Sequence, residues 1–278
     1  SSRACMPAMS RISAIASDRI QQEKKLLIPY LVAGDPDLPT TLTLMKELVQ
    51  QGADIIELGI PFSDPASDGP VIQRGVERAL NGGTTLRDTL ALVTQFREGD
   101  TETGIVLMGY LNPIEILGYE NFAASAAAAG VDGVLVVDMP PAESTELHRR
   151  LADADIDTIY LVAPTTSPDR AKDIAEACTG YLYYVSLKGV TGAAITDHEA
   201  IRESIESMRQ LTDLPVVVGF GIKDTESARA MASVSDGIII GSALVERIAQ
   251  LSGGDLEKPE LPQCCAVIGE ARSAIDSL

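Results

Sequence analysis

Short apolar runs, each almost free of polar interruption, recur along the chain with amphipathic stretches between them. They fall at 26–32 (LLIPYLV), 54–60 (DIIELGI), 104–110 (GIVLMGY), 133–139 (GVLVVDM), 157–163 (DTIYLVA), 181–187 (YLYYVSL), 215–221 (PVVVGFG) and 236–242 (DGIIIGS). Nearly continuous β-branched and apolar runs predict strands covered on both faces. Between them the apolar spacing changes to that of a helix, most clearly over 40–51, 142–154, 169–178 and 198–211. The long gap after the second run predicts two helices, about 71–81 and 84–98, the second opened by TTLRD. A further helix is expected over about 9–23, and one or two after the last run.

Eight strands, each followed by a helical segment, predict an α/β fold of the (β/α)8 TIM-barrel type, with an extra N-terminal helix and additional helices. A doubly wound open sheet would ordinarily carry G-x-G-x-x-G after its first strand. Here that place reads AGDPD. No low-complexity stretch divides the chain, so 1–278 reads as one barrel domain, with 1–8 as an extension ahead of it.

Charge narrows the partners. There are 22 Lys and Arg against 40 Asp and Glu, a formal charge of −18. Such a field repels phosphate backbones, so nucleic acid is not expected. A small phosphorylated ligand is still allowed, because local backbone dipoles can hold one. No apolar run approaches the roughly 20 residues of a membrane span, and no signal-peptide core is present. Cys5, Cys178, Cys264 and Cys265 form no C-x-x-C pair, which fits a reducing, cytoplasmic setting. His148 and His198 lie far apart, so no His-based metal site is expected.

In such a barrel the chemistry sits where strands end and loops begin. The second strand ends ELGIPFSDPASDGP, which places Glu57, Asp64 and Asp68 close together. Glu57 interrupts an apolar run, and none of the predicted strand cores supplies a Lys or Arg to pair with it. A carboxylate there is affordable only if it faces the barrel mouth and has work to do. Asp64 and Asp68, before Pro and Gly, are also ordinary turn residues. The last two strands end in Gly219-Phe220-Gly221 and Gly241-Ser242. Small residues leading into helices let backbone N–H groups approach an anion. The sixth is followed by KGVTG, residues 188–192, a candidate source of further donors or of a lid.

These residues resemble the tryptophan synthase alpha subunit family over about 12–251. The likeness is carried by PYLVAGDPD (29–37), GADIIELGIPFSDPASDGPVIQ (52–73), MGYLNPI (108–114), GVDGVLVVDMPPAES (130–144), YYVSLKGVTGA (183–193), VVVGFGI (216–222) and DGIIIGSALV (236–245). The resemblance implies a barrel lyase that cleaves indole-3-glycerol phosphate to indole and glyceraldehyde 3-phosphate. It implies catalysis by Glu57 and Asp68, with Tyr183 beside the reacting side chain. Tyr30, Tyr110, Leu135 and Phe220 match indole-pocket positions, and Thr191 belongs to the closing loop. Gly192, Gly221, Gly241 and Ser242 match a phosphate cradle. Pro61, Asp64, Asn112 and Pro113 match the face that meets a β subunit, in an α2β2 heterotetramer whose β subunit carries pyridoxal phosphate. No cofactor or metal is implied for this chain.

Three departures from the family pattern stand out. Val32 replaces the usual Thr, Ala66-Ser67 replaces Leu-Ala, and Leu187-Lys188 lies in a variable loop. None removes a carboxylate or a cradle glycine. The competing readings are a stand-alone lyase, a barrel enzyme acting on phosphoribosyl anthranilate derivatives, and a weak barrel retained as an activator of its partner.

Overall fold

The apolar runs form parallel strands in the computed structural model, which describes residues 10–186, 198–219, 221–252 and 260–278. The strands are β1 (Leu26–Val32), β2 (Ile55–Gly59), β3 (Gly104–Gly109), β4 (Gly133–Val136), β5 (Asp157–Thr158), β6 (Leu161–Val162), β7 (Leu182–Val185), β8 (Val216–Gly219) and β9 (Gly237–Ile240). Their order is β5-β4-β3-β2-β1-β9-β8-β7-β6, every pairing parallel.

The two ends of that list are consecutive pieces of one interrupted strand. Its first piece pairs with β4 and its second with β7. Backbone bonds carry the ladder across the interruption: Ile159 N–H donates to Val134 C=O at 3.0 Å, and Tyr183 N–H to Tyr160 C=O at 3.1 Å. The sheet therefore closes on itself as the expected eight-stranded barrel. The single run predicted at 157–163 is split because staggered strands in a barrel meet their two neighbours at different heights.

Alternation along each strand divides the core into two layers. Outward residues such as Leu27, Leu31, Ile56 and Leu58 pack under the helices. Inward residues fill the barrel: Leu26, Ile28, Tyr30, Ile55, Val106, Leu135, Ile159, Tyr181, Tyr183, Val217 and Ile239. The expected extra N-terminal helix, α1 (Arg11–Gln21), plugs the bottom with Ile12 and Ala16. Ion pairs Arg11–Asp132 (2.6 Å) and Arg19–Asp54 (2.7 Å) clamp it there.

The outer helices are α2 (Leu38–Gln50), α3 (Pro70–Asn81), α4 (Leu86–Arg97), α5 (Leu111–Leu117), α6 (Tyr119–Ala129), α7 (Thr145–Asp153), α8 (Pro168–Ala177), α9 (His198–Arg209), α10 (Thr225–Ser233), α11 (Ser242–Ala249), α12 (Leu261–Cys264) and α13 (Ala266–Asp276). The long gap between β2 and β3 holds the two helices expected there. Helix α4 begins at the predicted TTLRD, where Thr85 and Asp88 form a reciprocal capping box.

Candidate active site

Glu57 lies mid-strand on β2, between Ile55 and Gly59 on the inward face. It is 0% exposed. Its register neighbours are Tyr30 on β1 and Val106 on β3. Burial pushes its carboxyl up to about 8, opposed by a hydrogen bond from Tyr181, and among the described residues no cation offsets it. That bond, Tyr181 Oη donating to Glu57 Oε2, is 3.0 Å. Oε1 is buried and has no hydrogen-bond partner among the described residues. A desolvated carboxyl with one oxygen open keeps its proton at neutral pH and can give it to an incoming group.

Asp68 sits on the loop between β2 and α3, half-buried. Burial raises its carboxyl from the ordinary value, and a hydrogen bond with the Tyr110 hydroxyl works against that rise. Tyr110 also accepts from Ser67 N–H at 3.0 Å and packs its ring on Phe62, centroids 5.3 Å apart. The resemblance put Tyr110 in the indole pocket. The structure places it under the loop, as a post that carries Asp68.

Tyr30 and Tyr183 stand on the inward face near Glu57; burial raises both phenols, and the proximity of that carboxyl adds to the rise. Two glycines make room for them. A methyl group at Gly59 would collide with the Tyr30 hydroxyl, and one at Gly219 with the Tyr183 hydroxyl. The sequence grouped Gly219 with Gly221 in a small-residue strand end; its close neighbour is the tyrosine. Gly219→Ala is expected to cost about 1–3 kcal/mol through overpacking. Tyr183→Phe in the same chain should recover only a small part of it, because the ring atoms Cζ and Cε1 would still stand 2.6 and 2.7 Å from the added methyl. Thermal unfolding of the single and double mutants checks this.

The tyrosine that holds Glu57 is Tyr181, not Tyr183, which the resemblance set beside the reacting group. Sequence reasoning missed Tyr181. The signal was present: in YLYYV, residues 181 and 183 share one face of the strand, and both lie in the barrel interior.

At the other end, β9 runs directly into α11. Gly241 caps that helix without any side-chain hydrogen bond, so the first N–H groups, at Ser242 and Ala243, have no helical acceptor. Helix α10 differs: Asp224 caps it and forms a capping box with Ser227. Of these two helices, only α11 leaves its positive end open to an anion. Gly221 supplies the left-handed turn, φ 77°, that follows β8.

A cavity of 810 Å³ connects these parts. Tyr30, Asp68, Tyr183, Gly221, Gly241 and Ser242 line it. Apolar Met108, Val137, Leu161, Ile222 and Ile239 also line it, as do charged Lys223, Glu246 and Arg247, and none of these was singled out from sequence. Glu57 lies beneath the floor rather than on the wall. Leu135 is deep in the barrel, 1% exposed and paired with Met108, which takes the wall position. Thr191, Gly192 and Phe220 lie outside the described residues, as do Leu187 and Lys188.

Asp64 and Asn112 are exposed, Pro113 is half-buried, and Pro61 is buried and shapes the loop from within. Ile116, 79% exposed on α5, lies near Asn112 and Pro113 in the chain. Among the described residues no three His, Cys, Asp or Glu side chains converge on a metal position, and no helix is long and apolar enough to cross a membrane.

Comparison with known proteins points the same way. Residues 16–272 match the family model described as tryptophan synthase alpha chain. The tryptophan synthase alpha chain of Marinobacter nauticus is 54% identical over 242 residues, covering 87% of this chain and 90% of that one. That of Psychrobacter arcticus is 47% identical over 272 residues, 97% and 98% of the two chains. The crystal structure of tryptophan synthase subunit alpha from Legionella pneumophila superposes with a TM-score of 0.90 at 42% identity, covering 98% of this chain and 100% of that one. With a closed eight-stranded barrel, a buried carboxyl under its mouth and a family match over nearly its whole length, this chain belongs to the tryptophan synthase alpha chain family.

Proposed function

We propose that Glu57 and Asp68 perform the family's reaction in this chain, on a phosphate held at the start of α11. The reaction is the α half-reaction of tryptophan biosynthesis: retro-aldol cleavage of indole-3-glycerol phosphate to indole and glyceraldehyde 3-phosphate, a carbon–carbon lyase step. The family match does not favour a barrel acting on phosphoribosyl anthranilate derivatives. The observation that carries the residue assignment is Glu57: fully buried, protonated up to about pH 8, and open at one oxygen below the cavity.

The bond to be broken joins carbon 3 of the indole ring to the first carbon of the glycerol chain. Glu57 gives its proton to carbon 3, which makes that carbon tetrahedral and places positive charge on the ring nitrogen. The ionised Asp68 stabilises that charge through the N–H. The Glu57 carboxylate then takes the proton of the adjoining glycerol hydroxyl. As the C–O double bond forms, the C–C bond breaks and its electrons restore the aromatic ring. Glu57 ends protonated, so the proton count closes within one turnover. To reach the ring, Glu57 exchanges its Tyr181 bond for the substrate, and the tyrosine returns it afterwards. Each proton moves on the chain's own side chains; pyridoxal phosphate belongs, on this reading, to the β partner.

Backbone N–H groups of Ser242 and Ala243, the Ser242 hydroxyl and the Gly221 turn hold the phosphate, with Lys223 and Arg247 on the same cavity wall. That suits a chain of net charge −18, since fixed dipoles bind an anion locally. On the resemblance Gly192 and Thr191 would join them, and Phe220 would bound the indole together with Tyr30, which lines the cavity. As an alpha chain of tryptophan synthase, the protein has a β subunit as partner. We place it on Asp64 and Asn112–Pro113, with Pro61 stiffening the loop, in an α2β2 assembly in the cytoplasm. The chain acts there as a single barrel domain.

Asp64 and Asp68 share one loop, so a partner that grips the first moves the second. A partner accelerates cleavage only by binding the assembled state better than the open one. Cleavage measured against β-subunit concentration is expected to rise and saturate, and Asp64→Ala should lower that activation more than the isolated rate. A rate already maximal without the β subunit would mark a stand-alone lyase. No cleavage in either condition would leave the barrel as an activator only.

A further inference from the structure

We propose that Gln73 is the positioning residue that sets Asp68 for the reaction, by tying the carbonyl oxygens of the 65–68 turn to helix α3. This rests on the assignment of Asp68 to the stabilisation of the ring nitrogen.

Gln73 sits in the first turn of α3, four residues after Gly69, with its backbone N–H on Gly69 C=O at 2.9 Å. Its side-chain amide points back out of the helix. Nε2 donates to Asp68 C=O at 2.7 Å and to Pro65 C=O at 3.5 Å. Those carbonyls mark the two ends of a turn that Asp68 N–H closes on Pro65 C=O at 3.0 Å. One amide therefore bridges both ends.

Among the described residues the turn has little else to hold it. Ala66 and Ser67 are exposed and small, so they bury no apolar surface that would pin the segment. Gly69 ahead of the helix contributes no side-chain cap. On the opposite side, Tyr110 holds the Ser67 N–H and the Asp68 carboxyl. Asp68 thus hangs between a post at the end of β3 and a strap from α3.

The strap is anchored in the scaffold. Five residues further along α3, Arg78 makes a bidentate pair with Asp35, Nε–Oδ1 2.7 Å and Nη2–Oδ2 3.0 Å. Asp35 is 0% exposed, in the loop after β1. A bidentate pair at a buried carboxylate fixes both distance and rotation. Positions held this way reach the accuracy that a charge-stabilising group needs.

A double-mutant cycle tests the idea. Gln73→Met keeps the length and loses the donor; Gln73→Glu keeps size and hydration and, when ionised, cannot donate to a carbonyl. Each is made in the full chain alone and together with Asp68→Asn, and cleavage of indole-3-glycerol phosphate is followed. Asp68→Asn lowers the rate, and each Gln73 change lowers kcat/KM about tenfold, mostly in kcat, in the parent. In the Asp68→Asn background the same changes cost nothing more, because a residue acting through Asp68 has nothing left to position. Losses that multiply in the double mutants, or parent rates in both Gln73 variants, overturn the proposal while leaving Asp68 in place. Parent rates in Asp68→Asn itself would instead remove Asp68 from the reaction and the role of Gln73 with it.

Discussion

Glu57→Gln is expected to abolish most of the activity and, at the same time, to stabilise the protein. The two effects have one cause. Burial pushes Glu57 up to about 8, because its ionised form has no cation beside it among the described residues of the barrel interior. An amide of the same shape neither gives nor takes a proton, and loss of general acid–base catalysis is worth about 10²–10⁴ in rate. The stability effect follows by linkage. In the unfolded chain the carboxyl titrates near 4.5. Because the folded value is raised, Glu57 imposes no penalty below 4.5, and an increasing one as pH rises from there through 8. Removing it should gain nothing at acid pH and about 3–5 kcal/mol above pH 8. Unfolding curves of parent and variant at pH 4 and pH 8.5, beside the cleavage rate, check both halves. Parallel curves at the two pH values would show that Glu57 titrates normally. An undiminished rate would take it out of the chemistry.

Glu57 was legible in the sequence because hydrophobicity and charge disagree there: a carboxylate inside IIELG has no bland explanation. The same contrast failed elsewhere. Strand β1 coincides with its predicted range, 26–32, since all seven residues are buried, Lys25 precedes the run and the Ala33-Gly34-Asp35 turn follows it. The fourth run was predicted to continue to 139 but leaves the ladder after Val136. Val137 lines the cavity, and Met139 packs in the outer core. Hydropathy cannot separate an apolar residue in a barrel mouth from one in a strand. Helix α6 was not individually marked, because in YENFAASAAAA the buried and exposed faces are both largely alanine. Tyr181 and Gln73 act through hydrogen bonds to partners 124 and 5 residues away. Neither residue type is unusual in its place, so only the three-dimensional pairing reveals them. Gly219 was visible as a glycine, but its reason, the Tyr183 hydroxyl on the neighbouring strand, was not.

Asp68→Asn is expected to lose about 10²–10³ in kcat, the size of effect found when one oriented group is removed from a developing charge. The amide keeps the shape of the carboxylate and its bond to Tyr110, but not the charge opposite the ring nitrogen. Its pH profile separates it from Glu57. In the parent, kcat/KM should fall on the acid side as Asp68 takes up a proton and on the alkaline side as Glu57 loses one near pH 8. The acid limb lies above the ordinary aspartate range, because burial raises that carboxyl. Asp68→Asn should remove the acid limb and keep the alkaline one. Tyr110→Phe provides the intermediate case. The phenol bond opposes the burial shift at Asp68, so without it the carboxyl rises further and the acid limb moves toward neutrality, with a smaller loss at pH 8 than at pH 6. The Ser67 N–H also loses its acceptor, which loosens the turn that Gln73 closes. An acid limb unchanged in Asp68→Asn would assign that titration to another group. An unchanged limb in Tyr110→Phe would mean that the hydroxyl orients the loop without tuning the charge. Together the three profiles decide whether this barrel separates its two carboxyls into a proton carrier below the floor and a fixed charge on the rim.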